Sequence, residues 1–377
     1  MKIADLPFDV DGMLNGLKTW VETESPTFDS AAVNRMMDVA SRDLALMGAS
    51  IERIPGRMGR GDCVRARMPH PRQGEPGVLI MAHLDTVHPI GVLSKLPFRV
   101  EGDLAYGPGI CDMKGGTYLS LEALRILARI GVDTPLPVTI LLTSDEEIGT
   151  PSARDLVEAE AARQKYVLVP EPGAKDGGCT TGRYAIARFN IATDGKPSHA
   201  GARLGDGRSA IREMCRRIIE IEAMTGEDCT FSVGVMNAGQ WVNCVSSRAE
   251  AEVLSMAKRQ GDLDDGVAKM LGMADASAEV AFHVARGVTR PVWEPNEGTM
   301  ALYERMKGFA AELGIESWHQ SAGGGSDGNF TGAMGIPTLD GLGVEGAGIH
   351  TLNEHINVPT LISRGRVMAG MLATLSD

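Results

Sequence analysis

Several acidic and imidazole side chains of this chain stand just after short apolar runs, such as residues 78–82 and 138–143. Runs of this length and composition are typical of buried parallel strands. In an open α/β sheet the ligand crevice lies beyond the carboxyl ends of the strands, so side chains that follow different strands converge there. The side chains in question are His83, Asp85, Glu146, Glu147 and Glu171. The pattern predicts one polar site, which we interpret as a hydrolytic metal site.

The types of side chain indicate which metals such a site would hold. Carboxylates and imidazoles without thiolates suit a hydrolytic zinc, manganese or cobalt centre. Two ions held close together need a carboxylate between them and terminal ligands on each. The candidate ligands are His83, Asp112, Glu147, Glu171 and His350. The remaining histidines have no distinguishing context and are expected to be ordinary polar or surface residues: His70, His88, His283, His319 and His355.

The composition limits the classes of protein to which the chain can belong. With 377 residues it is longer than a typical single domain, so two domains are expected. The net charge of −12 argues against nucleic acid and anionic membranes as main partners. The sequence has no signal-like N-terminal stretch and no run of about 18 apolar residues that would span a membrane. The six cysteines form no C-x-x-C pair, which favours reduced thiols in a cytoplasmic protein.

The order of the predicted strands and helices changes along the chain. In the first part strands and helices alternate, as in a doubly wound α/β layer. The middle part follows the order β-α-β-β-α-β, which is the ferredoxin-like arrangement. Glycine-containing segments at 177–178 and 287–295 bracket this part as hinges. We therefore expect a catalytic α/β domain, 1–179 plus 292–377, interrupted by an inserted domain at 180–291.

Six motifs lie in order along the chain, at residues 82–87, 107–116, 144–149, 171–173, 197–201 and 324–328. They read Ala-His-Leu-Asp-Thr-Val, Gly-Pro-Gly-Ile-Cys-Asp-Met-Lys-Gly-Gly, Ser-Asp-Glu-Glu-Ile-Gly, Glu-Pro-Gly, Pro-Ser-His-Ala-Gly and Gly-Gly-Ser-Asp-Gly. Together they resemble the M20 family of metallohydrolases, which includes carboxypeptidase G2-like enzymes, aminoacylases and succinyl-diaminopimelate desuccinylases. The resemblance covers nearly the whole chain, and the inserted domain falls where the lid domain of that family falls.

The resemblance assigns the metal ligands residue by residue. It implies that His83 and Glu171 hold one ion, that Glu147 and His350 hold the other, and that Asp112 bridges the two. Zinc is the expected metal, with manganese or cobalt, or a single occupied position, as alternatives. Glu146 would be the general base that takes a proton from a metal-activated water, and Asp85 would orient the imidazole of His83.

The resemblance also implies roles for residues of the inserted domain and of the glycine-rich segment. In dimeric relatives the histidine that matches His199 reaches the partner subunit's site and stabilises the oxyanion of the tetrahedral intermediate. Asn243 matches a lid asparagine that contacts substrate, and Gly325 and Ser326 are expected to line the substrate pocket. A homodimer formed through 180–291 is therefore expected.

One departure from the family bears on the substrate. Family members that cleave beside a free carboxylate carry an Asp-x-Arg pair in the lid strand, where this chain has Leu254 and Met256. Ser246 replaces the proline that commonly follows the asparagine motif. Losing a bidentate guanidinium is not a conservative change at a carboxylate site. The cations nearby in the sequence that are candidates for the same charge role are Arg248, Lys258 and Arg259.

The expected function is hydrolysis of an amide bond in a small soluble substrate, as in carboxypeptidases and aminoacylases. The alternative, which Met256 favours, is hydrolysis of a nonpeptide C–N bond in a ureido, amidino or activated arylamine substrate. A remote alternative is a noncatalytic binding protein on the same fold. The presence of both Glu146 and Asp112 argues against it, because loss of the base or of the bridging ligand would be its signature.

Overall fold

The structure is a computed structural model that describes residues 2–377, and it divides into two compact units. The first consists of the chain up to Gly182 with Glu294–Ala322 and Ser326–Asp377, and the second of Arg183–Trp293 with Gly323–Gly325. Each unit has its own buried apolar cluster. The segment 323–325 thus belongs to the second unit, although the sequence analysis assigned it to the catalytic domain.

The described residues form nine α-helices: α1 (Val10–Glu22), α2 (Ser30–Leu46), α3 (Gly115–Arg129), α4 (Arg154–Ala161), α5 (Ala210–Glu222), α6 (Gln260–Gly272), α7 (Glu297–Glu312), α8 (Gly328–Ala333) and α9 (Val358–Thr374). Three of them are preceded by an N-cap residue whose side-chain oxygen accepts a hydrogen bond from a first-turn N–H: Asp29, Ser209 and Asn296. Within residues 2–377, none of the helices has the length and apolar character needed to cross a membrane.

The same residues form sixteen strands: β1 (Ser50–Ile54), β2 (Cys63–Arg67), β3 (Val78–His83), β4 (Arg99–Glu101), β5 (Leu104–Tyr106), β6 (Val138–Thr143), β7 (Tyr166–Leu168), β8 (Cys179–Arg183), β9 (Ala185–Asp194), β10 (Cys229–Ala238), β11 (Arg248–Ala257), β12 (Ala281–Arg290), β13 (His319–Ala322), β14 (Thr338–Leu339), β15 (Gly346–Ala347) and β16 (His355–Asn357).

The largest sheet of the first unit has the strand order β1-β2-β6-β3-β7-β14. Strands β6, β3, β7 and β14 are parallel, and every residue of β3 and β6 is buried, as expected for strands covered on both faces. The doubly wound prediction needs correction at one edge, because β1 and β2 pair antiparallel and β2 is antiparallel to β6. Strand β1 is only partly buried, so as an edge strand it does not need the continuous apolar run that marks the central strands.

A smaller sheet of the first unit has the strand order β15-β16-β5-β4. It pairs two strands from near the C-terminus of the chain with two strands of residues 99–106. Its pairs are antiparallel, and β15 and β16 are joined by the loop that contains His350. The pairing of β16 with β5 connects this loop to the chain that leads into α3, where Asp112 lies.

The second unit follows the order β9-α5-β10-β11-α6-β12. Its sheet has the strand order β10-β11-β9-β12, and all neighbouring strands are antiparallel. Burial alternates along β11, because one face packs into the core of the unit and the other does not. Strand β12 extends to Arg290, past Gly287, which the sequence analysis placed in a hinge. A register shift between Arg286 and Thr289 accommodates the glycine inside the strand.

Candidate metal centre

The five candidate ligands come from segments that the first unit brings to one place. His83 ends β3, Glu147 follows β6 and Glu171 follows β7, so all three lie at the carboxyl ends of neighbouring parallel strands. Asp112 precedes α3, and His350 lies in the loop between β15 and β16. The sheet topology therefore explains why residues far apart in sequence share one site.

The carboxylate of Asp112 lies between the two imidazoles. Its Oδ1 is 3.2 Å from Nε2 of His83, and its Oδ2 is 3.3 Å from Nε2 of His350. Glu171 Oε1 lies 3.8 Å from the His83 Nε2 atom, and Glu147 Oε2 lies 3.0 Å from the His350 Nε2 atom. The site thus has two halves, each with one imidazole and one glutamate, and Asp112 faces both.

Glu146 belongs to the same cluster. Its Oε2 is 4.0 Å from Nε2 of His83. Ligand atoms of His83, Glu146 and Glu171 lie within 4.8 Å of one another, and so do those of His83, Asp112 and Glu147. Such a set of carboxylate oxygens and imidazole nitrogens is the donor chemistry of a hydrolytic zinc, manganese or cobalt centre.

The electrostatics of the cluster also fit bound cations. Burial raises the pKa of the Glu171 carboxyl well above its usual range, and the charge of Asp112 raises it further. Burial likewise raises the pKa of Glu147 despite its hydrogen bond with His350. Hydrogen bonds that the His350 imidazole donates to the carboxylates of Asp112 and Glu147 raise its pKa to about 10. Four acids around two imidazoles are an excess of buried negative charge, which divalent ions would offset.

The imidazole of His83 is fixed from behind by Asp85. Its Nδ1 is 3.0 Å from the backbone carbonyl oxygen of Asp85 and 3.4 Å from the carboxylate Oδ1 of the same residue. Donation from Nδ1 leaves Nε2 directed at Asp112 as an acceptor for a metal. The sequence analysis assigned this orienting role to the Asp85 carboxylate, whereas in the structure the nearer acceptor is the backbone carbonyl.

The Asp85 carboxylate contacts the chain that carries the base. It accepts hydrogen bonds from the backbone N–H of Glu146 at 3.1 Å and of Glu147 at 3.3 Å. The buried hydroxyl of Thr27 donates to its Oδ2 at 2.7 Å. The sequence analysis missed Thr27, and no signal in the sequence marks it, because it lies in a loop 58 residues away from Asp85.

The model of peptidase family M20/M25/M40 matches residues 79–374. The chain belongs to this family. It is 30% identical over 377 residues to carboxypeptidase G2 of Pseudomonas sp. (strain RS-16), covering 96% of this chain and 89% of that protein. It is 23% identical over 326 residues to the succinyl-diaminopimelate desuccinylase of Thioalkalivibrio sulfidiphilus (strain HL-EbGR7), covering 81% and 85%. The structure of aminopeptidase PepT from Bacillus cereus shares the fold, with a TM-score of 0.75 at 22% identity and coverage of 97% and 98%.

Membership of the M20 family confirms the resemblance seen in the sequence. The protein has the mixed α/β M20 peptidase fold, with several sheets. It is a metal-dependent hydrolase of C–N bonds, and family members of this kind use divalent metal ions, typically two.

Two M20-type residues of the second unit lie on adjacent segments. His199 and Cys244 form an antiparallel bridge, and the backbone carbonyl of Asn243 accepts from the N–H of Ala200 at 2.9 Å. His199 and Asn243 are both exposed. The Nδ1 atom of His199 accepts from the N–H groups of Gly201 and Ala202, so its Nε2 is the nitrogen open to a ligand. Their roles in catalysis and substrate binding stay predictions.

The strand register around Met256 reveals a cation that the sequence analysis missed. Met256 pairs with Ile186, which pairs in turn with Arg290 on β12, so the three side chains stand in one row on one face of the sheet. A Cβ atom added at Gly325 would lie 2.9 Å from Ile186 Cδ1 and 2.8 Å from Arg290 Cδ. Gly325 therefore lies close to this row of Met256, Ile186 and Arg290, which we call the Met256 row. Only the strand pairing identifies Arg290 as a neighbour of this row.

The cations proposed from sequence as substitutes for the missing arginine have other contacts. Arg248 pairs with Asp194 at 2.6 Å and with Glu250 at 2.9 Å. Arg259 pairs with Asp262 at 2.7 Å. Both arginines are thus engaged by acids of the second unit.

Ser326 and His88 lie in environments that the sequence did not indicate. Ser326 is fully buried, and its hydroxyl donates to Asp340 Oδ2 at 2.6 Å, so its contact with substrate stays a prediction. His88, which was expected to be an ordinary polar or surface residue, is a buried one. It is 6% exposed, with its Nε2 atom 2.7 Å from Oε2 of Glu354. This carboxylate, 266 residues away in sequence, offsets the cost of burying the imidazole.

Proposed function

We propose that this M20 protein hydrolyses an amide bond in a small substrate that carries a free carboxylate, as carboxypeptidases and aminoacylases do. The observation that carries the proposal is the position of Asp112, whose two oxygens face His83 and His350. A carboxylate shared between two nitrogen ligands is what a pair of close metal ions requires.

In this proposal each half of the cluster holds one divalent ion, with zinc the expected metal. His83 and Glu171 would be the terminal ligands of one ion, Glu147 and His350 those of the other, and Asp112 would bind both. When bound, the ions supply Lewis acidity that polarises the scissile carbonyl and acidifies a water. The proton transfers would be carried out by side chains of the protein.

Glu146 is the proposed general base and acid. It takes a proton from the attacking water and delivers one to the leaving nitrogen, which an amide needs because an amine anion is a poor leaving group. Its backbone is held by Asp85, whose carboxylate also receives Thr27. This fixed position supports the role, since a general base must lie within hydrogen-bond reach of the proton that it moves.

The second unit is proposed to act as a ferredoxin-like lid and dimerisation domain. His199 would stabilise the oxyanion in the partner subunit's site, and Asn243 would contact the substrate. Arg290 would supply the guanidinium that Met256 cannot, because both belong to one row of the sheet. We also propose a cytoplasmic location, which suits a chain whose six cysteines are all free.

The second candidate is hydrolysis of a ureido, amidino or activated arylamine C–N bond. The apolar side chains of Leu254 and Met256 favour it, because they suit an aromatic or aliphatic substrate group better than a carboxylate. Arg290 favours the first candidate. The remote alternative of a noncatalytic binding protein is set aside, because the chain belongs to a family of C–N hydrolases.

A turnover screen distinguishes the candidates. Zinc-, manganese- and cobalt-loaded protein would be incubated with N-acyl amino acids, dipeptides, α- and γ-glutamyl conjugates, ureido acids and substituted anilines, and the products measured by mass spectrometry. Cleavage of carboxylate-bearing amides, abolished in Glu146→Gln, is the expected result. Turnover confined to ureido acids or anilines would overturn the amide assignment, and no turnover of any compound would count against both candidate substrate classes.

A further inference from the structure

Glu354 is a buried carboxylate that contacts the segment carrying Asp112. Its side chain is 1% exposed. Its Oε1 accepts hydrogen bonds from the backbone N–H of Cys111 at 2.9 Å and of Asp112 at 3.1 Å. Its Oε2 accepts from the N–H of Gly109 at 3.0 Å and lies 2.7 Å from Nε2 of His88. One carboxylate therefore holds three peptide groups of the segment 109–112.

Both segments that this interaction joins carry a candidate metal ligand. Glu354 lies four residues after His350, in the loop between that histidine and β16, and it binds the backbone of Asp112 itself. His350 and Asp112 face each other at 3.3 Å. Any displacement of Glu354 would therefore change the distance between a terminal ligand and the carboxylate that faces both imidazoles.

We propose that Glu354 is a positioning residue for the metal centre, and that His88 holds Glu354 in place. The inference rests on the proposed function, because it concerns the affinity of the proposed metal ligands. Hydrogen bonds from peptide N–H groups to an ionised carboxylate are stronger than those to a neutral acceptor. The fixed backbone of 109–112 thus sets the direction of the Asp112 carboxylate before any ion arrives.

Glu354→Gln tests the inference with a side chain of nearly the same shape. The amide oxygen can still face Cys111 and Asp112, but the NH₂ group then opposes the N–H of Gly109 and the charge is gone. Glu345→Gln is a matched control, because Glu345 also accepts from two backbone N–H groups, those of Asp176 and Gly177, each at 3.0 Å. That segment carries none of the proposed ligands. Like Glu354, Glu345 has one cationic or imidazole partner as well, the buried Arg364 at 3.0 Å.

The measurements are the dissociation constant for Zn²⁺, by chelator competition with the metal-free proteins, and the melting temperature of each metal-free protein. We expect Glu354→Gln to weaken Zn²⁺ binding about 10-fold or more, as loss of partners behind metal ligands does. Glu345→Gln should bind Zn²⁺ as the wild type does, even where both variants melt at similar temperatures. This difference separates positioning from general stability.

Unchanged Zn²⁺ affinity in Glu354→Gln, with tight binding by the wild type, would overturn this inference alone. A wild-type protein that takes up none of Zn²⁺, Mn²⁺ and Co²⁺ would overturn both the inference and the proposed function. If Glu354→Gln does not fold, His88→Phe takes its place, since the ring fills the same space without a nitrogen for Glu354. It should weaken Zn²⁺ binding in the same direction, and full affinity in that variant would count against the inference.

Discussion

At the scale of single residues, two buried carboxylates, those of Asp85 and Glu354, bind the backbone of the proposed base and of two proposed ligands. Asp85 holds the peptide groups of Glu146 and Glu147 and, through its carbonyl, the ring of His83. In the same way, the carboxylate of Glu354 accepts a hydrogen bond from the backbone N–H of Asp112. Both are almost fully buried, where an acceptor that lost its donors would carry a large desolvation penalty. These contacts fix the backbone of three residues of the proposed site, Glu146, Glu147 and Asp112.

Glu146→Gln should lower kcat by about 10³-fold, in the range found for loss of a general base, since the amide cannot accept the proton of the attacking water. Zinc content, measured by mass spectrometry, and the melting temperature should match the wild type, because the variant keeps all five proposed ligands. Glu312→Gln, at an exposed position on α7, is the control for loss of one negative charge. Activity near the wild-type level in Glu146→Gln would refute its role as base.

Thr27→Val should destabilise the protein and slow the reaction. The hydroxyl donates to buried Asp85 at 2.7 Å, and valine has the same shape without the donor. A free-energy cost of about 1–3 kcal/mol is expected in denaturant unfolding, with a lower kcat at saturating zinc. Thr27→Ser keeps the hydroxyl and should retain most of the activity. Wild-type stability and activity in Thr27→Val, together with a loss in Thr27→Ser, would mean that packing of the methyl group, rather than the hydrogen bond, matters at this position.

At the scale of elements, the strand ends explain how much of the site could be predicted from sequence. His83 ends an apolar strand, and Glu147 and Glu171 follow two others. The apolar runs in the sequence therefore sufficed to predict that the three side chains lie close together. Arg290 was missed because only the pairing of β9 with β11 and β12 sets it beside Met256. The antiparallel β1–β2 edge was missed because short, half-buried strands carry a weak apolar signal. Pairing between distant segments has no local signature.

Arg290→Lys tests whether the Met256 row recognises a carboxylate. Lysine keeps the charge and loses the planar fork that binds a carboxylate through two hydrogen bonds. For a carboxylate-bearing amide we expect KM to rise about 10-fold, which corresponds to about 1.4 kcal/mol, with little change in kcat. Arg248→Lys, at the opposite end of β11 and paired with Asp194, should leave KM unchanged. An equal rise in KM for a substrate without a carboxylate would exclude this recognition.

At the scale of the whole molecule, the two units have separate cores and carry different parts of the proposed chemistry. The proposed ligands and Glu146 belong to the first unit, and His199, Asn243 and Arg290 to the second. Each unit closes its own apolar cluster. The departure at Met256 lies in the second unit, whereas the proposed metal ligands lie in the first.

Mixing two inactive variants tests whether the second unit of one subunit serves the first unit of another. In a twofold dimer of His199→Ala with Glu146→Ala subunits, one site has both defects and the other has neither. Random mixing makes half of the dimers mixed, so about a quarter of wild-type activity should return. If His199 acts within its own subunit, every site keeps one defect and nothing returns. Size-exclusion chromatography with one tagged variant would verify that mixed dimers form, and their inactivity would then rule out a histidine acting across the dimer.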